Sequence, residues 1–365
     1  MATREFTILA INPGSTSTKF GVFAGERPLR LWTLRHGDDE LRRFKGRPII
    51  EQKTFRAEAI AREIAAAGFA VAELSAVVGR GGLLPPLTSG TYRVDEAMLE
   101  ELRLARRGEH ASNLGAVLAY EIAGRAGVPA FVVDPVSVSE HSAIARLSGT
   151  ALLERGEFCH ALNSKAVARR YASERGKRYA DLRLVVAHLG GGICISAHQD
   201  GRMIDATDAQ QEGPFSPECA GGVPALKLAR LCFSGRYDQR QIERLMRGEG
   251  GLFSYLGTTD LVEAERRIAA GDAKAALVFA AMAYQIGKEI GAMATVLEGR
   301  VDAILLTGGM AHSEALVGKV KAATEWIAPV SVYPGEEELL ALAEGALRVL
   351  GGEETAKHLS VGIGP

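Results

Sequence analysis

The stretch Ile11–Phe23, INPGSTSTKFGVF, decides how this chain is read. An apolar run from Thr7 to Ile11 enters it, and a second, Phe20–Phe23, leaves it. Between them lie Asn12, Gly14, Ser15, Thr16, Ser17, Thr18 and Lys19, which are small, hydroxyl-bearing or cationic residues of the kind that surround a phosphate. The familiar phosphate loop requires Gly-Lys followed by Ser or Thr at the start of a helix. Here Gly-Lys occurs at 176–177, 287–288 and 318–319, and Ser or Thr follows none of them. Phe20–Phe23 also reads as a strand rather than a helix start. The loop therefore reads as a phosphate cradle of another design, one that joins two strands.

Working outward, a turn at Gly25-Glu26 leads to a third strand, Leu29–Leu34. The same order returns at Leu182–Ala206. LRLVVAH is a strand, LGGG a loop and ICISAH a second strand, then QDG is a turn and RMIDAT a third strand. We read this as a structural duplication, two related domains that each open on a hairpin. Elsewhere strands at 74–82, 128–134, 300–309 and 328–335 alternate with helices. The helices are expected at 56–67, 95–106, 112–125, 161–175, 224–233, 239–247, 259–270, 273–297 and 336–350. Asp95 and Ser112 are expected as N-caps, and Gly68 and Gly127 as stops. Such alternation predicts an α/β protein.

The 365 residues are enough for about two domains of roughly 150 residues. The formal net charge of -1 provides no global field for nucleic acid or anionic lipid, so any anion site must be local. Cys159, Cys194, Cys219 and Cys232 form no CxxC pair and suit a reducing compartment. Cys159, Cys194 and Cys232 have apolar neighbours and are expected to be core thiols. No signal peptide or membrane span is read from the sequence, which predicts a cytoplasmic protein.

Ligands in sheets of this class bind beyond the strand ends. Five strand-to-loop junctions are therefore the places to look: 12–19, 79–82, 134–135, 188–192 and 307–309. Four contain glycine, which lets backbone amides approach an anion closely. Lys19, Arg80 and His188 stand among them. Zinc-protease, nucleophile-elbow and dinucleotide fingerprints are absent.

INPGSTSTKFGVF, GRGGLLPPL, GEHASNLGA, VVAHLGGGICI, GPFSPE and LLTGGMAH together resemble the butyrate kinases, a branch of the acetate kinase family. The resemblance runs from about residue 7 to about residue 350. It implies two duplicated domains of the sugar kinase/heat-shock ATPase/actin (ribonuclease H-like) fold with a cleft between them. Residues 1–160 with 336–365 would form the carboxylate side and 161–335 the nucleotide side. It implies transfer of the ATP γ-phosphate to butyrate or a related short-chain fatty acid, with ATP/ADP and Mg²⁺ as cofactors. The partners would be that acid or its acyl phosphate and further copies of the chain, with no nucleic acid or membrane.

By the same resemblance, Asn12, Ser15, Ser17 and Lys19 would meet the transferred phosphate, and Arg80 the substrate carboxylate, with His110 and Asn113 beside it. Asp134 would lie near metal and phosphate, and His188 would contact the transferring group. Gly190, Gly191 and Gly192 would line the nucleotide phosphates, and Gly308 and Gly309 would flank adenosine. Glu337, or else Glu336 or Glu338, would be a metal-linked acid. Leu83–Leu87 would form a wall for the acid's alkyl group. The chain departs from the family at Cys219, where an arginine is usual, so Arg80, Lys19 or Arg230 would have to compensate or activity would fall. A sugar or polyphosphate phosphotransferase, and a nucleotide-binding regulator that has lost catalysis, are the alternatives.

Overall fold

In the computed structural model, residues 5–156 and 158–359 are described. The chain divides into two compact units, residues 1–139 with 337–365 and residues 140–336. Segment 140–160, expected in the first unit, falls in the second. Glu140 there pairs with Lys165 at 2.6 Å and accepts from the Met203 amide at 2.9 Å, while Arg155 pairs with Asp205 at 2.9 Å.

The first unit is built on a six-stranded sheet: β1 (Thr7–Pro13), β2 (Ser17–Ala24), β3 (Arg27–Arg35), β4 (Ala76–Arg80), β5 (Thr91–Arg93) and β6 (Ala130–Val133). The strands lie in the order β3-β2-β1-β4-β6-β5. β1 pairs antiparallel with β2 but parallel with β4, and β4 is parallel to β6. Ile8, Leu9, Ala10 and Ile11 are fully buried, as expected of a strand covered on both faces. β3 is largely exposed, and Arg27, Arg30 and Arg35 leave that edge charged, which discourages pairing with another chain. The sheet packs against helix α2 (Asn113–Ala126) and a closing helix, Glu338–Leu350, and helix α1 (Lys53–Ala66) packs in turn on α2. α2 lies directly on β4: a Cβ at Gly79 would come within 2.1 Å of the Gly115 carbonyl oxygen.

The second unit repeats the plan. β7 (Leu184–Leu189), β8 (Ile193–Gln199), β9 (Arg202–Ala206), β10 (Ala303–Gly308) and β11 (Val330–Pro334) lie in the order β11-β10-β7-β8-β9. The hairpin strand β7 is again antiparallel to β8 and parallel to β10. Even the bulge recurs, at Val22/Phe23 in the first hairpin and Ala197/His198 in the second. Helix α3 (Ala161–Ser173) covers one face, and α4 (Ala273–Val296) packs its buried Phe279, Met282, Ile286 and Ile290 on the other.

The helices at 53–66, 96–104, 113–126, 161–173, 225–232, 239–246, 261–269, 273–296 and 338–350 match their expected places. Asp95 caps as expected, accepting from the Met98 amide at 3.0 Å. Ser112 does not: its hydroxyl meets His110 Nδ1 at 2.8 Å instead. The short strand β5 and the helix Gly251–Leu256 were not anticipated. β5 has only three residues, too few for a periodic signal. Cys232 is exposed, contrary to expectation, on a short helix that buries none of its residues. No helix among the described residues is long and apolar enough to cross a membrane.

Candidate functional site

Because β1, β4 and β6 run parallel, their C-terminal ends share one edge of the first sheet. Three of the five glycine-rich or acidic junctions read from the sequence thus fall together. β7 and β10 do the same for the other two in the second sheet.

In the first unit, the hairpin loop closes through the Gly14 amide, which donates to the Ser17 carbonyl at 2.8 Å. Asn12 and Lys19 face each other across the hairpin register. Lys19 is exposed and makes no ion pair among the described residues. Asn12 Nδ2 donates to Glu338 Oε2, and Glu338 Oε1 lies 3.4 Å from Arg80 Nη2. Arg80 is 5 % exposed, and its buried Nη1 has no hydrogen-bond acceptor. A buried donor left unsatisfied is costly unless a ligand completes it. The first residue of the closing helix, Glu338, is thus the acid that joins this cluster. Glu337 is exposed at the N-cap position, and Glu336 belongs to the second unit.

Asp134, fully buried at the end of β6, accepts from Ser89 Oγ at 2.5 Å and the Gly90 amide at 2.8 Å. Its φ of 38° is left-handed, a conformation that Asp tolerates better than most residues. Asn113, also fully buried, ties the loop after β4 to the segment before α2. Its Oδ1 accepts from the Leu83 amide at 2.9 Å, and its Nδ2 donates to the Gly108 carbonyl at 3.2 Å. His110 is exposed. Leu84 and Leu87 pack as loop core, while Leu83 and Pro85 are half-buried and Pro86 is exposed.

In the second unit, His188 is buried at the end of β7. Its Nδ1 meets Asn163 Oδ1 at 2.9 Å, its Nε2 lies 3.0 Å from Glu336 Oε1, and its ring stacks on His160 at 3.8 Å. With an amide oxygen facing Nδ1, that nitrogen carries the proton. Burial, then the His160 charge, hold the His188 pKa below its ordinary value, so the ring is neutral near pH 7. With the ring neutral, the contact of the Nε2 lone pair with the Glu336 carboxylate is neither an ion pair nor a hydrogen bond. Protonation of Nε2 would make it both.

Gly190, Gly191 and Gly192 follow directly. None has positive φ, so here glycine supplies room rather than backbone freedom. A Cβ at Gly190 would sit 2.9 Å from His188 Nε2, and one at Gly191 3.0 Å from Glu218 Oε1. Gly308 does need its hydrogen. Its φ is 91°, and a Cβ would reach within 2.4 Å of the Leu189 carbonyl oxygen. Gly309 is open to solvent. Asp208, buried after β9, accepts from the Gln210 amide at 2.8 Å, and burial pushes its pKa up.

Cys219 is buried, and its thiol is pushed up by burial. A backbone bridge sets it opposite Arg247, whose guanidinium donates to Gln210 Oε1 at 2.7 Å and whose charge acts on the thiol. Arg230, an expected substitute, is exposed on the helix Ala225–Cys232. Arg247, Asn163 and His160 were not singled out in the sequence, and Glu338 was given there only as an alternative to Glu337. Of these, His160, at the N-cap of α3, and Asn163, three residues on in its first turn, carried a sequence signal in their spacing. Cys159 and Cys194 place their sulfurs 2.7 Å apart beside this cluster.

Among the described residues, no three or more His, Cys, Asp or Glu side chains are placed to hold a metal directly. Mg²⁺ commonly keeps several waters and takes one or two carboxylates plus phosphates, so Asp134 with its hard oxygens fits such an ion.

Residues 154–327 match the model of the Acetokinase family. The fold is shared with acetate kinase of Porphyromonas gingivalis at a TM-score of 0.78 and 19 % identity, over 94 % of this chain and all of that one. A propionate kinase from Francisella tularensis subsp. tularensis SCHU S4 aligns at TM-score 0.71 and 16 % identity, over 93 % and 98 % of the chains. Acetate kinase of Entamoeba histolytica aligns at TM-score 0.74 and 15 % identity, over 93 % and 98 %. The architecture is α/β with two mixed sheets, similar to the fold of these acetate and propionate kinases, as the resemblance of the motifs implied.

Proposed function

We propose that this chain is a carboxylate kinase of the acetate kinase family, transferring the ATP γ-phosphate to butyrate or a similar short-chain acid. Coverage of the family by residues 154–327 supports the class of reaction, and the butyrate-type motifs GRGGLLPPL and GEHASNLGA support the longer acid. The observation that carries the reading is Arg80. It is a nearly buried guanidinium with an unsatisfied Nη1, at the strand edge where Asn12 and the hydroxyl-rich loop also end.

The chemistry explains the need for these groups. A carboxylic acid with a pKa of about 4 is already ionised at pH 7, so no general base is required. One carboxylate oxygen attacks the γ-phosphorus. A new O–P bond forms, the β,γ-bridging bond breaks, and its electron pair leaves with ADP. Two unit charges about 4 Å apart repel by roughly 4 kcal/mol at an effective dielectric of 20. That corresponds to about a thousandfold in rate. Fixed donors must offset it.

In this scheme Arg80 holds the acid. Asn12, Ser15, Ser17 and Lys19 take the phosphate in flight. In the second unit, His188, whose Nε2 lacks only a proton to become a cationic donor, would contact a transferring phosphoryl group. The glycines at 190–192 receive the nucleotide phosphates, and Gly308 and Gly309 the adenosine. Mg²⁺, when bound, neutralises phosphate charge; Asp134 and one acid of Glu336–Glu338 are the residues to hold it, through water. Half-buried Leu83 beside Asn113 would face the alkyl chain. Each methylene there is worth only about 1–3 kcal/mol of discrimination, so related acids would also be accepted.

The test is hydroxylamine trapping of acyl phosphate with ATP, Mg²⁺ and a panel of C2–C5 acids. Butyrate or a close homologue should give the highest kcat/KM, and Arg80→Ala should lower it by about a hundredfold or more. ATP binding with no acyl hydroxamate from any acid would favour a non-catalytic regulator. Turnover surviving Arg80→Ala unchanged would remove the carboxylate role.

A further inference from the structure

Behind the hairpin loop of the first unit lies a cation that the scheme above does not use. Arg56, in α1, has no exposed surface. Its Nη1 donates to the carbonyl oxygens of Gly14 (2.8 Å) and Ser17 (3.0 Å) and to Thr18 Oγ1 (3.0 Å). Its Nη2 donates to the Ser15 carbonyl (3.0 Å) and Gln52 Oε1 (2.8 Å), and Nε to the same Gln52 oxygen (3.0 Å). Every acceptor is neutral, and Arg56 has no carboxylate partner among the described residues. Burial lowers its pKa to about 10, so it is still charged at neutral pH. Thr18 Oγ1 also meets His36 Nε2 at 2.8 Å, and burial and the Arg56 charge keep that ring neutral.

A buried cation without a counter-ion is costly and needs a reason. The direction of the peptides supplies one. In a trans peptide the C=O and N–H point opposite ways, and no peptide here is cis. The Gly14 and Ser15 carbonyls turn inward to Arg56, so the amides of Ser15 and Thr16 turn away from it. The guanidinium therefore fixes which side of the loop presents donors, and adds a positive charge immediately behind them.

Resting on the kinase reading of this loop, we propose that Arg56 is a positioning residue for phosphoryl transfer. It orients the Ser15 and Thr16 amides toward the phosphate, and its uncompensated charge strengthens them from behind. A structural anchor alone would need only the hydrogen bonds. Gln52→Glu separates the two roles, because a carboxylate accepts the same two bonds from Arg56 while neutralising it.

The experiment compares Gln52→Glu, Arg56→Lys and Arg56→Gln with the wild type, reading kcat and KM by hydroxamate formation, the thermal midpoint, and ADP affinity by calorimetry. Gln52→Glu should keep or raise the thermal midpoint, leave ADP affinity unchanged, and lower kcat by about tenfold or more. Arg56→Gln should lower kcat about a hundredfold, with Arg56→Lys between them because it restores charge without the fork. If Arg56→Gln does not fold, Gln52→Glu decides. Gln52→Glu with wild-type kcat and KM overturns the role of Arg56 while leaving the kinase reading intact. A wild-type protein that forms no acyl phosphate overturns the kinase reading, and this role with it.

Discussion

Cys219 shows how one substitution can be weighed only against its neighbours. Its thiol cannot stabilise transferring charge, and burial keeps it protonated. Arg247 stands opposite it across a backbone bridge and is anchored to Gln210. We expect Arg247 to supply the displaced charge. Arg247→Ala should lower kcat by about ten- to a hundredfold, and adding Cys219→Arg to that variant should recover much of it. Arg247→Ala with unchanged kcat would leave Arg80 or Lys19 as the compensating group. The same dependence on surroundings governs His188. The resemblance of its segment marks it as a phosphate-side residue, but Asn163 and Glu336 decide its tautomer and where its lone pair lies.

At the scale of elements, the contact of α2 with β4 transmits packing to the site. Gly79 and Gly115 bring backbone against backbone, and a Cβ at Gly115 would come within 2.0 Å of the Arg80 carbonyl oxygen. Neither atom is the flexible end of a side chain, so the helix would have to move off the strand. Asn113 begins that helix and Arg80 ends that strand. Gly115→Ala should therefore destabilise the protein by about 1–3 kcal/mol in denaturant unfolding and raise KM for the acid more than KM for ATP. Wild-type stability would show that the helix can slide without cost. The strands and long helices were legible because apolar runs and glycine stops are local signals. β5 was not: three residues are held there by pairing with β6 and by the Lys357 carbonyl near the other end of the first unit's sequence, which accepts from the Arg93 amide at 2.8 Å.

At the scale of the molecule, three buried histidines, His36, His188 and His198, all have pKa values lowered mainly by burial. For His198 the charges of Lys165 and Arg169 add to the effect. The unfolded chain binds protons on these groups near pH 6.5 while the folded chain still excludes them. Stability then rises with pH and is lost on acidification below about 6.5, by up to about 1.4 kcal/mol per pH unit for each histidine. Replacing His198 with Gln should flatten the unfolding free energy between pH 7 and 5.5 by about that slope. An unchanged slope would show that His198 is charged in the folded protein.

The sequence by itself determined the α/β class, the paired hairpins and the five strand-end junctions, because periodicity, glycine placement and turn residues act over a few positions. It also placed Arg80, Asp134, His188 and Lys19 at those junctions. What only the tertiary structure decided is which groups complete them. Arg56 reaches the loop across some forty residues, Glu338 returns to Asn12 and Arg80 from the far end of the chain, and Arg247 comes to Cys219 through a single bridge. Charges and donors act through space, and no short pattern records a partner that packing alone brings near.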